Sequence, residues 1–154
     1  MYANLELGRT IDDVNNAANI VEKKIKAFLE ISNEEKAVLE KGMFTINVLN
    51  RIEDATRKAK EYIQSVGYFE NDITTKIWNN TDFFKKEDFE RILNNLDVLK
   101  KSFFVYENTP STPTARFYFE NLNDIEKILY DLHSVVDYIF ENALECGSFE
   151  CGEY

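Results

Sequence analysis

Residues 118–146 read YFENLNDIEKILYDLHSVVDYIFENALEC, and this stretch decides the fold class. Its apolar residues recur at alternating steps of four and three positions: Tyr118, Leu122, Ile125, Leu129, Leu132, Val136, Ile139 and Ala143. Because an α-helix has 3.6 residues per turn, this spacing puts all of them on one side of a helix. Such a seam is typical of helices that pack along their length. The stretch therefore predicts a long helix in an all-α fold.

Three earlier segments carry seams of the same kind. They consist of Ile11, Val14, Ala18, Val21, Ile25 and Phe28; then Val48, Ile52, Ala55, Ala59, Tyr62 and Val66; then Phe89, Ile92, Leu96, Leu99 and Phe103. We expect a second helix over 33–66, a third over 86–106 and a fourth over 113–146, with Asn123 as an alternative start for the fourth.

Residues that favour helix ends flank these segments. Thr10 with Asp13, and Ser32 with Glu35, have the spacing of capping boxes, which predicts that helices begin after Thr10 and Ser32. Gly67 suits the end of the second helix, because glycine adopts the left-handed conformation without strain. Cys146 continues the seam of the fourth helix, so the first Glu-Cys-Gly of the terminal ECGSFECGEY is predicted to be a helix end, with Gly147 just beyond it.

These elements predict one domain, residues 1–154, folded as an antiparallel up-down-up-down four-helix bundle. Residues 1–9 form an N-terminal arm, residues 147–154 form a C-terminal tail, and a short extra helix lies around Asp72–Trp78 between the second and third helices. The helices are unequal, with about 50 Å for the second and fourth against about 30 Å for the others. This topology also puts the tail beside the N-terminus and the Trp78 segment.

The net charge of −10 is concentrated in the C-terminal third. Residues 107–154 hold two basic residues against ten acidic ones, whereas residues 1–106 are nearly balanced, with sixteen against eighteen. An acidic surface repels phosphates, so we expect no direct nucleic-acid binding. The absence of a signal-like start and of any long apolar run predicts a cytoplasmic protein with reduced thiols and no membrane contact.

Motifs that would carry chemistry are not recognisable in the sequence. His133, the one histidine, has Tyr130 three residues before it, so the Glu-x-x-His pattern of di-metal bundles is missing. Cys146 lies thirteen residues beyond His133, or about 20 Å along a helix, which is too far for a shared zinc ion or a Cys-His catalytic pair. We therefore expect no catalytic residue, no metal and no cofactor.

Two surfaces are candidates for partner binding. Aromatic residues between the second and third helices and in the tail form the candidate interface, although packing at the end of the bundle is the alternative for the first group: Tyr68, Phe69, Trp78, Phe83, Phe84, Phe149 and Tyr154. The aromatic-rich stretches FFVY at 103–106 and FYF at 117–119 cannot place every ring on one seam, so some rings must be exposed or covered by another chain. Acidic residues of the fourth helix form a candidate docking face, with a solvated surface as the alternative: Asp131, Asp137, Glu141 and Glu145.

The function that these observations favour is contact between proteins rather than catalysis. We expect a multimeric structural or assembly protein, and the composition, rich in Asn, Lys and Ile, suggests a phage virion or connector component. An acidic inhibitor that mimics nucleic acid and blocks a basic groove on a host or defence enzyme is the alternative. An enzyme whose site has no readable signature is the third possibility.

Overall fold

The computed structural model describes residues 5–67, 72–114 and 118–146, with the backbone alone for 143–146. Within these ranges the chain forms five α-helices and no strand. They are α1 (Ile11–Ile20), α2 (Asn33–Gly42), α3 (Ile46–Ser65), α4 (Lys86–Ser102) and α5 (Phe119–Cys146), and a π-helical segment, Val21–Ile25, continues α1. The prediction of an all-α fold is confirmed. None of the helices described is both long enough and apolar enough to cross a membrane.

The predicted helix starts at Thr10 and Ser32 are confirmed. The Thr10 hydroxyl accepts a hydrogen bond from the backbone N–H of Asp13, and the Asp13 carboxylate accepts one from the N–H of Thr10. Ser32 and Glu35 form the same reciprocal pair at the start of α2. Gly67 follows α3 with φ +80°, as a helix-ending glycine does. The last helix begins at Phe119, between the two starts that the sequence left open.

The second predicted helix is divided into α2 and α3 by an extended residue, Met43. The Thr45 hydroxyl accepts a hydrogen bond from the N–H of Val48 and so begins α3 anew. Gly42, at the end of α2, packs directly on α1: a Cβ at this position would lie 2.1 Å from the backbone oxygen of Asp13. The break therefore lets α2 pair closely with α1 while α3 takes another direction.

The main hydrophobic core lies between α3, α4 and α5. The seams predicted for these helices form most of it: Val48, Ile52, Ala55 and Ala59; Phe89, Ile92, Leu96, Leu99 and Phe103; Leu122, Ile125, Leu129, Leu132 and Val136. Trp78 and Ile73 complete this core from the connection between α3 and α4. Cys146 was predicted to continue the seam of the fourth helix, and its side chain lies outside the described residues.

Residues 72–79 have no helical structure, so the short helix predicted around Asp72–Trp78 is wrong. The segment runs back along α3, because Asp72 pairs with Lys60 at 2.8 Å and Trp78 is bound by Asn50, ten residues earlier in the helix. About ten residues of α3 span about 15 Å, which an extended chain covers in about five residues. Residues 72–78 can therefore run back along this part of α3 when they are extended. The same residues folded as a helix would be too short to do so.

The three core helices consequently run in the same direction. Next to the start of α3, Phe84 contacts both Phe44 and Phe89, so α4 begins where α3 begins. Helix α5 follows α3 in parallel, because Arg51 pairs with Glu126 and the Ala55 carbonyl bonds to His133. The alternating order predicted for the second, third and fourth helices is therefore corrected, since the long connections before α4 and before α5 each bring the chain back before the next helix begins.

The same contacts separate residues 5–9 from the end of α5. Residues 5–9 lie against the first turns of α5, where Asn123 bonds to both backbone groups of Arg9. Cys146 ends α5 more than twenty residues further on, or about 30 Å along the axis. The expectation that the fourth helix ends beside residues 5–9 and Trp78 is therefore wrong, and the C-terminal tail itself, residues 147–154, lies outside the described residues.

Candidate functional site

The aromatic candidates divide between core and surface. The Trp78 side chain is 3% exposed, and its ring lies 5.5 Å from that of half-buried Phe84, so both belong to the packing that the sequence offered as the alternative. Phe83 is 83% exposed and remains available for contact. The four remaining candidates lie outside the described residues: Tyr68, Phe69, Phe149 and Tyr154.

The candidate acidic face is less exposed than its sequence suggests. Asp131 is buried, and its carboxylate accepts hydrogen bonds from Lys127 and from the hydroxyl of Thr109. Asp137 is half-buried, Glu141 is exposed, and the side chain of Glu145 lies outside the described residues. Asp131 therefore holds the connection between α4 and α5 in place and offers no charge to a partner.

Another exposed apolar surface lies on α1 and on the segment that follows it, up to Phe28. Of the seam predicted there, Val14 and Val21 are half-buried, whereas Ile11, Ala18, Ile25 and Phe28 are exposed. We call these four exposed residues the α1 apolar face. Ala17 is the buried residue of α1, because it lies on the side of α1 that packs against Gly42 of α2. The expectation that this seam packs within the bundle is wrong.

Phe28 has the least favourable position on this face. Its side chain is 97% exposed and its φ is +56°, in the left-handed region that glycine and asparagine tolerate and bulky residues avoid. Exposure of a phenylalanine adds no stability to the single chain, and its backbone conformation costs about 1 kcal/mol or more. A π-helical segment ends three residues before it, at Ile25, and such turns are frequent at functional sites.

Exposed charges on the same helix differ in their sum between its two ends. Asp12 is near its start, whereas Glu22, Lys23 and Lys26 are near its end, and all four are exposed. Two other charges are already paired, because Asp13 binds Lys41 at 3.1 Å and Lys24 binds Glu35 at 2.7 Å. The exposed charges therefore leave a net charge of −1 at the start of this helix and +1 at its end, beside the α1 apolar face.

Buried charges form two clusters that the sequence analysis missed. Glu126 on α5 is fully buried; one oxygen accepts bonds from Nε and Nη2 of Arg51, at 3.0 and 2.8 Å, and the other from Nη1 of Arg9 and the N–H of Glu6. Because the partners are 75 and 117 residues apart in the chain, no local spacing indicates the pairing.

The second cluster is centred on Glu53 of α3. Its carboxylate accepts bonds from Arg91 on α4 and from the indole N–H of Trp78. Hydrogen bonding to Glu53 holds the pKa of Arg91 above its usual value. Every carboxylate oxygen of this buried group has a donor, so the cluster joins α3, α4 and the connecting segment.

His133 is also an interior group. Its Nε2 donates to the Ala55 carbonyl at 2.9 Å, since a carbonyl oxygen can only accept. Burial lowers its pKa to about 3, so the ring is neutral near pH 7. This histidine links α5 to α3.

Metal-ligating residues do not gather into a group of three or more anywhere in the described ranges. The surface with the most features of an interaction site is therefore the α1 apolar face. Comparisons with protein-family models, with curated proteins and with solved structures find no match to this chain.

Proposed function

We propose that this chain is a structural or assembly protein that acts by contact, and that copies of it associate through the α1 apolar face. The observation that carries the proposal is the exposure of apolar residues at heptad spacing along α1, the π-helical segment that continues it and the turn that ends in Phe28. Seven-residue spacing of apolar side chains is the pattern by which helices of different chains pack together. An exposed patch of this kind on a chain with a well-packed core is typical of a protein interface.

The charges on α1 favour a second copy of the chain as the partner, in antiparallel orientation. When two α1 helices pair head to tail, Asp12 of each copy lies near the end of the other that holds Glu22, Lys23 and Lys26 and has a net charge of +1. A two-fold arrangement makes this contact twice. A parallel pair would instead place ends of like net charge together, which is unfavourable.

Burial of the α1 apolar face would provide enough free energy for a weak to moderate dimer. Ile11, Ile25 and Phe28 are the large side chains, 56%, 42% and 97% exposed. Full burial of such a side chain contributes about 1.5–3 kcal/mol, and these are buried from partial exposure. Two copies contribute equally, but association itself costs several kcal/mol, so we expect a dissociation constant of about 1–100 μM.

Sedimentation equilibrium between about 1 and 500 μM tests the proposal. The chain has a mass of 18.0 kDa, so the weight-average mass should rise toward twice that value with concentration. The double variant I25E/F28N should stay monomeric, because it puts charge in the seam and removes the exposed ring. Phe28→Asn also suits the left-handed backbone, so loss of association should not come with loss of folding.

The matched control is Phe83→Asn, which removes another highly exposed phenylalanine, 83% against 97% for Phe28, from a different surface and should leave association unchanged. The charge reversal K23E/K26E should weaken association and make it less sensitive to salt. A wild-type chain that is monomeric at 500 μM, or an I25E/F28N variant that associates as the wild type does, would refute the proposal.

A role in a phage virion or connector is a narrower form of this proposal and rests on composition alone. The alternative, an acidic inhibitor of a nucleic-acid enzyme, has less support, since Asp131 is buried and only Asp137 and Glu141 of the described docking residues reach solvent. We also propose that the α1–α2 pair and the three core helices together form one bundle.

A further inference from the structure

The spacing of the apolar seam along α1 and the segment that follows it is the same when it is read from either end. Successive residues lie three, four, three, four and three positions apart: Ile11, Val14, Ala18, Val21, Ile25 and Phe28. Two antiparallel copies of such a seam can therefore match along its whole length. Ala18 and Val21 then meet at the centre, where small side chains allow a close approach. At each end, Ile11 of one copy lies opposite Phe28 of the other.

A cavity of about 490 Å³ opens at the Ile11 end of this seam, where α1, the junction of α2 and α3, and the start of α5 meet. Exposed side chains form its mouth: Ile11, Met43 and Tyr118. Its inner wall is apolar and consists of half-buried Val14 and Phe44 and buried Leu122. A dry cavity of about 150 Å³ already holds a benzene ring, so this one has room for the side chain of a phenylalanine.

Phe28 can enter this cavity only from another copy of the chain. Within one chain it lies seventeen residues beyond Ile11, or about 25 Å along the helix, and it does not line the cavity. An antiparallel pair brings the Phe28 of each copy to the Ile11 of the other, where the cavity opens. The ring is 97% exposed in the single chain, so docking moves apolar surface from water into an apolar space.

Charges around the cavity agree with this occupant. Glu120 lines the cavity with an exposed side chain, and Asp12, next in the chain to a lining residue, is exposed too. Arg9 also lines it, but its side chain is buried and pairs with Glu126. The end of the helix that leads to Phe28 has a net charge of +1. Docking therefore brings a basic segment of one copy to an acidic rim on the other.

We infer that the cavity is the receptor for Phe28 of a second copy, so that an antiparallel pair of α1 helices holds one docked phenylalanine ring at each end. The inference rests on the proposed association through the α1 apolar face and names the site that fixes its register. It gives Met43, Phe44 and Leu122 a part in binding, although none of them belongs to that face. The ring that adds no stability to the single chain is buried in the pair.

The methyl group of Met43 reports the docked ring directly. The chain has two methionines, Met1 and Met43, so protein labelled with ¹³C at the methionine methyl groups gives two signals. An aromatic ring shifts the resonance of a nucleus that it contacts. The Met43 signal should therefore move with protein concentration, in step with the mass measured by sedimentation. In Phe28→Leu, which keeps an apolar side chain without a ring, the signal should move much less at the same fraction of dimer.

This measurement separates the inference from the proposal on which it rests. If the wild-type mass rises while the Met43 signal stays in place, the docking of Phe28 is overturned and the association between copies stands. If the wild-type chain does not associate, both are overturned. The measurement uses the unaltered chain, so it does not depend on the folding of any variant.

Mixing two variants tests the docking in a second way. Met43→Trp fills the cavity from a side chain that is 39% exposed and keeps Phe28, whereas Phe28→Asn keeps the cavity and removes the ring. Neither variant alone can form a docked ring, so its dissociation constant should be at least about tenfold above the wild-type value. A one-to-one mixture can form a pair with one docked ring and should associate about tenfold more tightly than either variant alone.

Ile77→Trp is the matched control for Met43→Trp. It adds a tryptophan at a position that is 81% exposed and does not line the cavity, and it should associate as the wild type does. Wild-type association of Met43→Trp, or a mixture that associates no more tightly than its two components, would show that the cavity does not receive Phe28.

Discussion

Gly42→Ala should destabilise this protein, although alanine is the better helix former. In a helix exposed to solvent the same substitution stabilises by up to about 1 kcal/mol. At this position the new Cβ would lie 2.1 Å from the Asp13 backbone oxygen and 2.7 Å from the Ala17 Cβ. The smaller distance has to increase by about 1 Å before the contact becomes tolerable, so α1 and α2 must move apart.

The expected magnitude follows from these opposing effects. Overpacking of this size costs about 1–3 kcal/mol, and separation of the helices also stretches the bond between Lys41 and Asp13, now 3.1 Å. Subtracting the gain in helix propensity leaves a net loss of about 1–2 kcal/mol in the free energy of unfolding. Urea unfolding followed by circular dichroism measures it, and hydrogen exchange should show the loss concentrated in α1 and α2.

Two further variants make the test specific. Asn16→Ala, at an exposed position of α1, reports helix propensity without a clash and should be neutral or slightly stabilising. Adding Ala17→Gly to Gly42→Ala should not restore stability, because the closer obstacle is the Asp13 backbone oxygen, which no side-chain change removes. If Gly42→Ala alone stabilises the protein by about 1 kcal/mol, the close packing of α1 on α2 is refuted.

Three other substitutions test the interior. Glu126→Gln should lower the free energy of unfolding by about 3–5 kcal/mol in urea titrations, because it leaves Arg9 buried without a counter-charge; an effect below 1 kcal/mol would contradict this. The pKa of His133 is about 3 in the folded chain against about 6.5 unfolded, so the unfolded state binds the extra proton and stability should fall by about 2 kcal/mol between pH 6.5 and 5. His133→Gln should remove that part of the pH dependence, and an unchanged slope would count against it. Asn50→Ala removes both bonds to the backbone of Trp78, so the tryptophan emission should shift to the red; unchanged emission would show that the segment does not depend on them.

Periodicity predicted the core helices well because each seam is a local property. Leu96, Leu99, Leu129 and Leu132 are fully buried, as their spacing in the sequence indicates. The capping residues Thr10 and Ser32 were equally predictable, since the groups that they satisfy lie three residues away.

The candidate site was less predictable, for a physical reason that α1 makes clear. Its seam has the same spacing as the others, yet Ile11 and Phe28 are exposed. Spacing shows that one side of a helix is apolar, but not which element covers it. Gly42 was a usable signal: a glycine followed three residues later by Thr45, a good capping residue, marks the end of one helix and the start of another.

By itself, the sequence determined the helical class, the apolar seams and most helix starts, because hydrogen bonds and side chains within a few residues control them. The tertiary structure alone decided the common direction of α3, α4 and α5 and the meeting of Arg9, Arg51 and Glu126. Both depend on how far the irregular connections reach and on contacts between residues far apart in the chain. A buried carboxylate must find its donors wherever the fold brings them, so its partners are a property of the whole packed chain.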